Sequence, residues 1–206
     1  MRQARIIVAI LVLVVGAGGI WNAVQKGYFG PTAGNQSTAT KVMIGGPFEL
    51  TDHRGSRVTE ASYKGTHMLV FFGYTFCPDV CPTTLSTISS ALDELGADAE
   101  KVTPLFVTVD AERDTPEYLK EYLEHFHPAI IGLSGNPKQI KAIAKGYGVY
   151  YAKAMEEGAD PEDYLMDHTS ITYLMDNDGM YVTHFSHDTE ASDMAAKIKS
   201  ILAGGQ

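Results

Sequence analysis

Three features of this 206-residue sequence predict an α/β domain with a mixed central sheet, preceded by one transmembrane helix. Short apolar runs of strand length alternate with amphipathic helical stretches through the first half of the domain. That alternation is how parallel strands with crossover helices read in sequence. Two strands around a tight turn, followed by one last helix, close the chain and add an antiparallel part to the sheet. Ahead of all this, residues 6–25 carry no charge, and residues 6–20 are wholly apolar or glycine. Twenty helical residues span about 30 Å, roughly one hydrocarbon core.

The N-terminal run follows Arg2 and Arg5, with only Lys26 close behind it and Trp21 at the expected interface. The positive-inside bias keeps the first residues in the cytoplasm and sends the rest outward. A cleaved signal peptide is the rival reading, but no A-x-A site follows the apolar run, and no cysteine follows it as in a lipoprotein. Residues 1–26 are therefore expected to be a retained anchor in a bacterial inner membrane. Residues 27–42, rich in Gly, Pro, Thr, Ser, Asn and Gln, read as a flexible tether. Residues 43–206 form the expected periplasmic domain.

Within that domain, 48–51 and 57–58 read as short strands around a turn at 52–55. Residues 68–72 are continuously apolar, as a strand buried on both faces should be. A loop from Gly73 to Pro82 leads into a helix from about Pro82, with Leu85, Ile88, Leu92 and Leu95 on one face and Gly96 ending it. Strand 102–109 follows. Asp114 or Thr115 caps the next helix, with Pro116 at its first position and an apolar stripe of Tyr118, Leu119, Tyr122, Leu123 and Phe126. After a strand at 130–133, Asn136-Pro137 opens a helix carrying Ile140, Ile143 and Ala144 that stops near Gly146. A strand starts at 149–151, and 153–167 reads as a mostly acidic insert. Strands 171–175 and 180–185 form a hairpin around Asp176-Asn177-Asp178-Gly179, and a helix at 190–202 ends the domain. The order β-α-β … β-β-α, with the cysteines between the first core strand and the first helix, is thioredoxin-like.

Charge narrows the function. The chain carries net −9; without Arg2, Arg5 and Lys26 the remainder holds 13 basic against 25 acidic residues, net −12. Such a domain is a poor nucleic-acid binder and suits a basic protein surface. The only two cysteines, Cys77 and Cys81, are four positions apart. A disulfide closing so small a loop adds little stability, so their use is chemical rather than structural.

Thiolates are soft ligands suited to Cu(I), and imidazole suits copper in either oxidation state. Pro78 and Pro82 turn the segment between the cysteines, and Pro82 disfavours a helical Cys81, so 77–81 is expected as a loop. Cys81 then lies near the N-cap of the following helix, where partial positive charge should favour its thiolate. Of seven histidines, His168 stands just before strand 171–175, in the loop that a thioredoxin fold lays against the cysteines. Redox thioredoxins place a cis-proline there, and no proline follows Pro161 in this chain. Asp167 beside it either orients the imidazole or is simply solvated. Met166 either adds a soft ligand or packs in the core. Asp110, Arg113 and Asp114 read as a helix cap with an ion pair, or as partner contacts. The insert carboxylates Glu156, Glu157, Asp160, Glu162 and Asp163 either steer a basic partner or form a plain solvated loop.

The stretch Gly73-Tyr74-Thr75-Phe76-Cys77-Pro78-Asp79-Val80-Cys81-Pro82-Thr83 resembles the signature of the SCO/SenC family. So do Val109-Asp110-Ala111-Glu112-Arg113-Asp114-Thr115-Pro116 and Asp167-His168-Thr169-Ser170, in the same order over about residues 43–203. The resemblance implies that Cys77, Cys81 and His168 bind one copper ion, Cu(I) or Cu(II). It further implies a metallochaperone, not an enzyme, that serves the binuclear copper site in subunit II of cytochrome c oxidase or a similar acceptor. Other periplasmic copper chaperones or a thiol reductant would be further partners. The alternative is a thiol–disulfide reductase that keeps the acceptor cysteines reduced, which needs both cysteines but not His168.

Overall fold

The computed structural model describes residues 43–155, 158, 160 and 163–204. The expected anchor (1–26) and tether (27–42) lie outside the described residues. Among the described residues no helix is long and apolar enough to cross a membrane.

Nine strands and four α-helices follow one another in the described chain. Strands β1 (Glu49–Asp52) and β2 (Arg57–Thr59) form the opening hairpin, and β3 (His67–Gly73) is the continuous apolar strand. Helix α1 (Val80–Leu95) leads to β4 (Val102–Thr108), and α2 (Pro116–Leu123) to β5 (Ile131–Ser134). Helix α3 (Pro137–Tyr147) precedes a ribbon of β6 (Tyr151–Ala154) and β7 (Leu165–His168). Strands β8 (Ile171–Met175) and β9 (Tyr181–Ser186) make the closing hairpin before α4 (Ala191–Leu202).

The main sheet runs β2-β1-β5-β4-β3-β8-β9. Its centre, β3-β4-β5, is parallel; β1 and β8 flank it antiparallel. This is the expected α/β, mixed-sheet, thioredoxin-like arrangement. From Met68 to Gly73 every residue of β3 is buried, and Phe71, Phe72 and Phe106 have no solvent exposure. Helices α1 and α4 pack together, which buries Leu85, Ile88, Leu92, Met194 and Ile198. At roughly 25 cal/mol per Å² of apolar surface, this core is the main support for the loop above β3.

The structure revises several expected boundaries. Helix α1 begins at Val80, two residues before Pro82, so Cys81 is its second residue rather than part of a loop. Pro82 fits there because an N–H in the first helical turn has no intrahelical partner to lose. Thr115, not Asp114, caps α2 by accepting from the Tyr118 N–H. Helix α2 stops at Leu123, which leaves Phe126 beyond it. Helix α3 runs through Gly146 and ends at Gly148, whose φ of 67° supplies the left-handed cap. A third of the expected acidic insert is ordered strand, at both of its ends: β7 pairs with β6 through Tyr151↔His168 and Lys153↔Met166.

Candidate metal centre

The strand-to-helix loop and the first turn of α1 place the two thiols at the end of β3. Its last residue, Gly73, has no side chain for a reason: a Cβ there would lie 2.7 Å from Phe106 Cε2 and 2.8 Å from Cys81 Sγ. The absent Cβ lets Cys81 fold back over the strand end, where it is 0% exposed. Cys77 stays half-exposed, held by its N–H donating to the Tyr74 carbonyl at 3.4 Å. Both cysteines are free thiols.

The ribbon supplies the third group. His168 ends β7, and its Nε2 lies 3.4 Å from Cys81 Sγ. The imidazole stands edge-on to the rings of Phe71, at 6.4 Å, and Tyr74, at 5.8 Å. Its Nδ1 is 3.2 Å from the Thr169 carbonyl. A proton on Nδ1 donates to that carbonyl and leaves the Nε2 lone pair facing the sulfurs. The ligand atoms of Cys77, Cys81 and His168 all lie within 4.8 Å of one another, and they form the one such group among the described residues. Two soft sulfurs and an imidazole at this spacing suit copper or another thiophilic ion.

Electrostatics divide the two thiols in the opposite sense to the sequence expectation. The Cys77 thiol is lowered to about 3 by the Cys81 S–H, then by His168 and by the N–H groups of Asp79 and Cys81 at the start of α1. One of these contacts, Cys81 N–H to Cys77 Sγ, measures 3.4 Å. Cys81 is pushed up, by the neighbouring Cys77 and by burial. Helix α1 does stabilise a thiolate, but on the residue in front of it, because the sulfur inside the first turn is buried and meets an existing negative charge.

This division sets an expected reactivity. In reduced, metal-free protein, iodoacetamide should label Cys77 alone. Its rate should be nearly flat between about pH 5 and about pH 8, since the thiolate is already formed. Label on Cys81, or a rate that climbs tenfold per pH unit, would show that the thiolate is elsewhere.

Behind the loop, Asp114 carries a support that sequence reading did not find. Its carboxylate accepts from the Thr75 N–H at 3.0 Å, the Thr75 hydroxyl at 2.6 Å and the Thr108 hydroxyl at 2.6 Å. The residue just before Phe76-Cys77 is thereby tied to the end of β4. Asp114 is 0% exposed, and burial raises its pKa despite these three donors. Asp110 and Arg113 form the expected ion pair, 2.5 Å apart. Met166 is buried and packs in the core. Asp167 is exposed, and the contact to the His168 ring nitrogen comes from the Thr169 carbonyl instead. Of the acidic insert, Glu156, Glu157 and Glu162 lie outside the described residues; Asp160 and Asp163 are exposed.

A family model for SCO1/SenC matches residues 36–203. The chain belongs to the SCO1/SenC family. Among SCO1/SenC relatives, the SCO2-like protein of Rickettsia felis is 38% identical over 195 residues, covering 94% of this chain and 95% of its own. The structure of Bradyrhizobium japonicum ScoI with copper bound superposes with a TM-score of 0.70 at 49% identity, over 76% of this chain and 98% of that one. BsSco, described as having a disulfide switch and as a member of the Sco family of cytochrome c oxidase assembly proteins, gives a TM-score of 0.61 at 25% identity. That match covers 77% of this chain and 92% of BsSco. SCO1/SenC structures therefore include copper-bound ones, and this member has a Cys-Cys-His group fit to hold a metal.

Proposed function

We propose that this chain is a copper metallochaperone that holds one copper ion on Cys77, Cys81 and His168. Its acceptor is the binuclear copper site in subunit II of cytochrome c oxidase. The observation that carries this reading is the convergence of two thiols and an imidazole within 4.8 Å in a chain 49% identical to a copper-bound ScoI. BsSco's membership in a family of oxidase assembly proteins supports the choice of acceptor. The exchange chemistry fits as well. Cys77 is half-exposed, so an incoming acceptor thiolate can reach the site from that side, while buried Cys81 is the last to let go. Net −12 for residues 27–206 favours a basic protein face and disfavours nucleic acid.

The reading includes a retained anchor at residues 6–25 and a periplasmic domain, on the charge asymmetry of Arg2 and Arg5 around the apolar run. A periplasm-only reporter fused to the C-terminus should be active, and a silent one would reverse the topology.

A second reading, thiol–disulfide reductase, is favoured by the low pKa of Cys77 beside the Cys81 thiol. The Cys77 thiolate would attack an acceptor disulfide, and Cys81 would then resolve the mixed disulfide, passing two electrons to the acceptor. His168→Ala separates the two readings. It leaves both thiols and the α1 N-terminus intact, so reaction with disulfides should persist. Cu(II) binding should weaken, and oxidase activity in copper-limited cells should fall and be partly restored by added copper. Normal oxidase assembly by His168→Ala in copper-limited medium would put the reductase in the chaperone's place.

A further inference from the structure

The main sheet does not hold the strand that carries His168. Within the described residues β7 pairs only with β6, and the ladder of the seven-stranded sheet resumes at Ile171. The short step to β8 fixes His168 from its C-terminal side. What fixes it from the N-terminal side is a side-chain cluster centred on Arg113.

Arg113 lies between the two segments that bear the ligands. Its guanidinium carbon sits 3.7 Å from the centre of the Tyr164 ring and 4.8 Å from that of Phe76. Nη1 donates to the Tyr164 carbonyl at 3.0 Å, and Nε donates to Asp110 Oδ2 at 2.5 Å. The Tyr164 hydroxyl donates to Asp110 Oδ1 at 2.9 Å, so the Asp110–Arg113 pair grips Tyr164 at both backbone and ring. Phe76 is bonded directly to Cys77, and Tyr164 lies four residues before His168. Phe76 is itself 55% exposed, so the face of Arg113 is a principal constraint on it. The arrangement is not free of cost: Nη2 is buried with no hydrogen-bond partner.

We propose that Arg113 is a positioning residue for the metal centre, a planar wedge between Phe76 and Tyr164 that sets the imidazole of His168 against the two sulfurs. This rests on the reading that Cys77, Cys81 and His168 hold copper. A lysine cannot replace it, because an ammonium neither stacks between two rings nor donates in two fixed directions.

The test compares full-length wild type with Arg113→Ala, Arg113→Lys and, as a control, Lys101→Ala. The control removes an exposed ion pair to Asp98 that has no contact with Phe76, Arg113 or Tyr164. Each is loaded with Cu(II) and read by electron paramagnetic resonance for nitrogen coupling from the imidazole. Each is also read without metal by hydrogen exchange over residues 164–168. Both Arg113 variants should lose or alter the nitrogen coupling and bind Cu(II) about ten- to hundredfold more weakly, as when a group that orients a ligand is removed. Cu(I) affinity, carried by two thiolates, should change far less. Metal-free Arg113→Ala should exchange faster at 164–168. Lys101→Ala should match wild type throughout. If Arg113→Ala does not fold, Arg113→Lys, which keeps the charge beside Asp110, carries the same comparison. Wild-type resonance and Cu(II) affinity in the Arg113 variants would overturn the inference alone. A wild-type chain that takes up no copper would overturn the functional reading and the inference with it.

Discussion

A Cys77→Ala/Cys81→Ala double variant is expected to lose all tight copper binding while it keeps its fold. The two sulfurs are the soft part of the ligand set, and without them His168 is a single imidazole beside two methyl groups. One imidazole alone cannot retain copper against a competing chelator. The fold should survive, because the change at Cys81 removes only one buried sulfur, and a cavity of that size costs about 1–2 kcal/mol. The single variants should differ. Cys77→Ala removes the ionised thiolate and leaves Cys81 freed from the charge that now keeps it neutral, so its pKa should fall toward an ordinary thiol value. Copper measured per chain after passage over a chelating resin, with circular dichroism as the folding control, checks this. One full equivalent retained by the double variant would remove the site.

The second large effect concerns stability. Asp114→Ala should destabilise the domain by about 3 kcal/mol or more, since it orphans the Thr75 N–H and two hydroxyl donors around a fully buried position. Asp114→Asn should cost less than about 1 kcal/mol. Its carbonyl oxygen can occupy the Oδ2 position and accept from the Thr75 N–H and the Thr108 hydroxyl, while its amide donates to a rotated Thr75 hydroxyl. The amide also carries no buried charge. Burial raises the Asp114 pKa, so the protonated form contributes stability that is complete below the unfolded value near 3.8 and is lost as pH rises through the folded value. Asp114→Asn is free of that loss, and its stability relative to wild type should therefore improve from acid toward neutral pH. Denaturant melts of the three proteins at acid and neutral pH decide it. An Asn variant as damaged as the Ala variant would mean that the charge itself is required.

How much of this was visible in the sequence depends on the range of each interaction. The strand His67–Gly73 was legible because an unbroken apolar run of that length has few other uses. The grouping of Cys77, Cys81 and His168 was legible because strand order alone brings the loop before β8 beside the loop after β3. The strand Leu165–His168 was not, because only Met166 of its four residues is buried and acidic residues precede it. Asp114 read as a local cap, since a carboxylate beside Thr115-Pro116 usually is one. Its actual partner, Thr75, is 39 residues away and had no sequence signal to pair it. Helix position in the sequence points to a thiolate on Cys81, whereas burial and the neighbouring sulfur favour it on Cys77, because helix position can be read from sequence and burial of one sulfur behind the other cannot. The role of Arg113 was hidden similarly: Asp110 is three residues off, but Tyr164 is 51.

The 87 positions between Cys81 and His168 also set an order of events during synthesis. A chain made at about 5–20 residues per second displays its dithiol for roughly 4–17 seconds before the histidine exists. Through that interval Cys81 has no completed domain to cover it, and Cys77 lacks the imidazole that helps to hold its charge. On the topology proposed above, the emerging chain enters an oxidising compartment. The nascent protein is then at its most vulnerable to closing the two sulfurs on each other, and a reductant acting on the newborn chain would determine how many molecules ever reach the form able to carry metal.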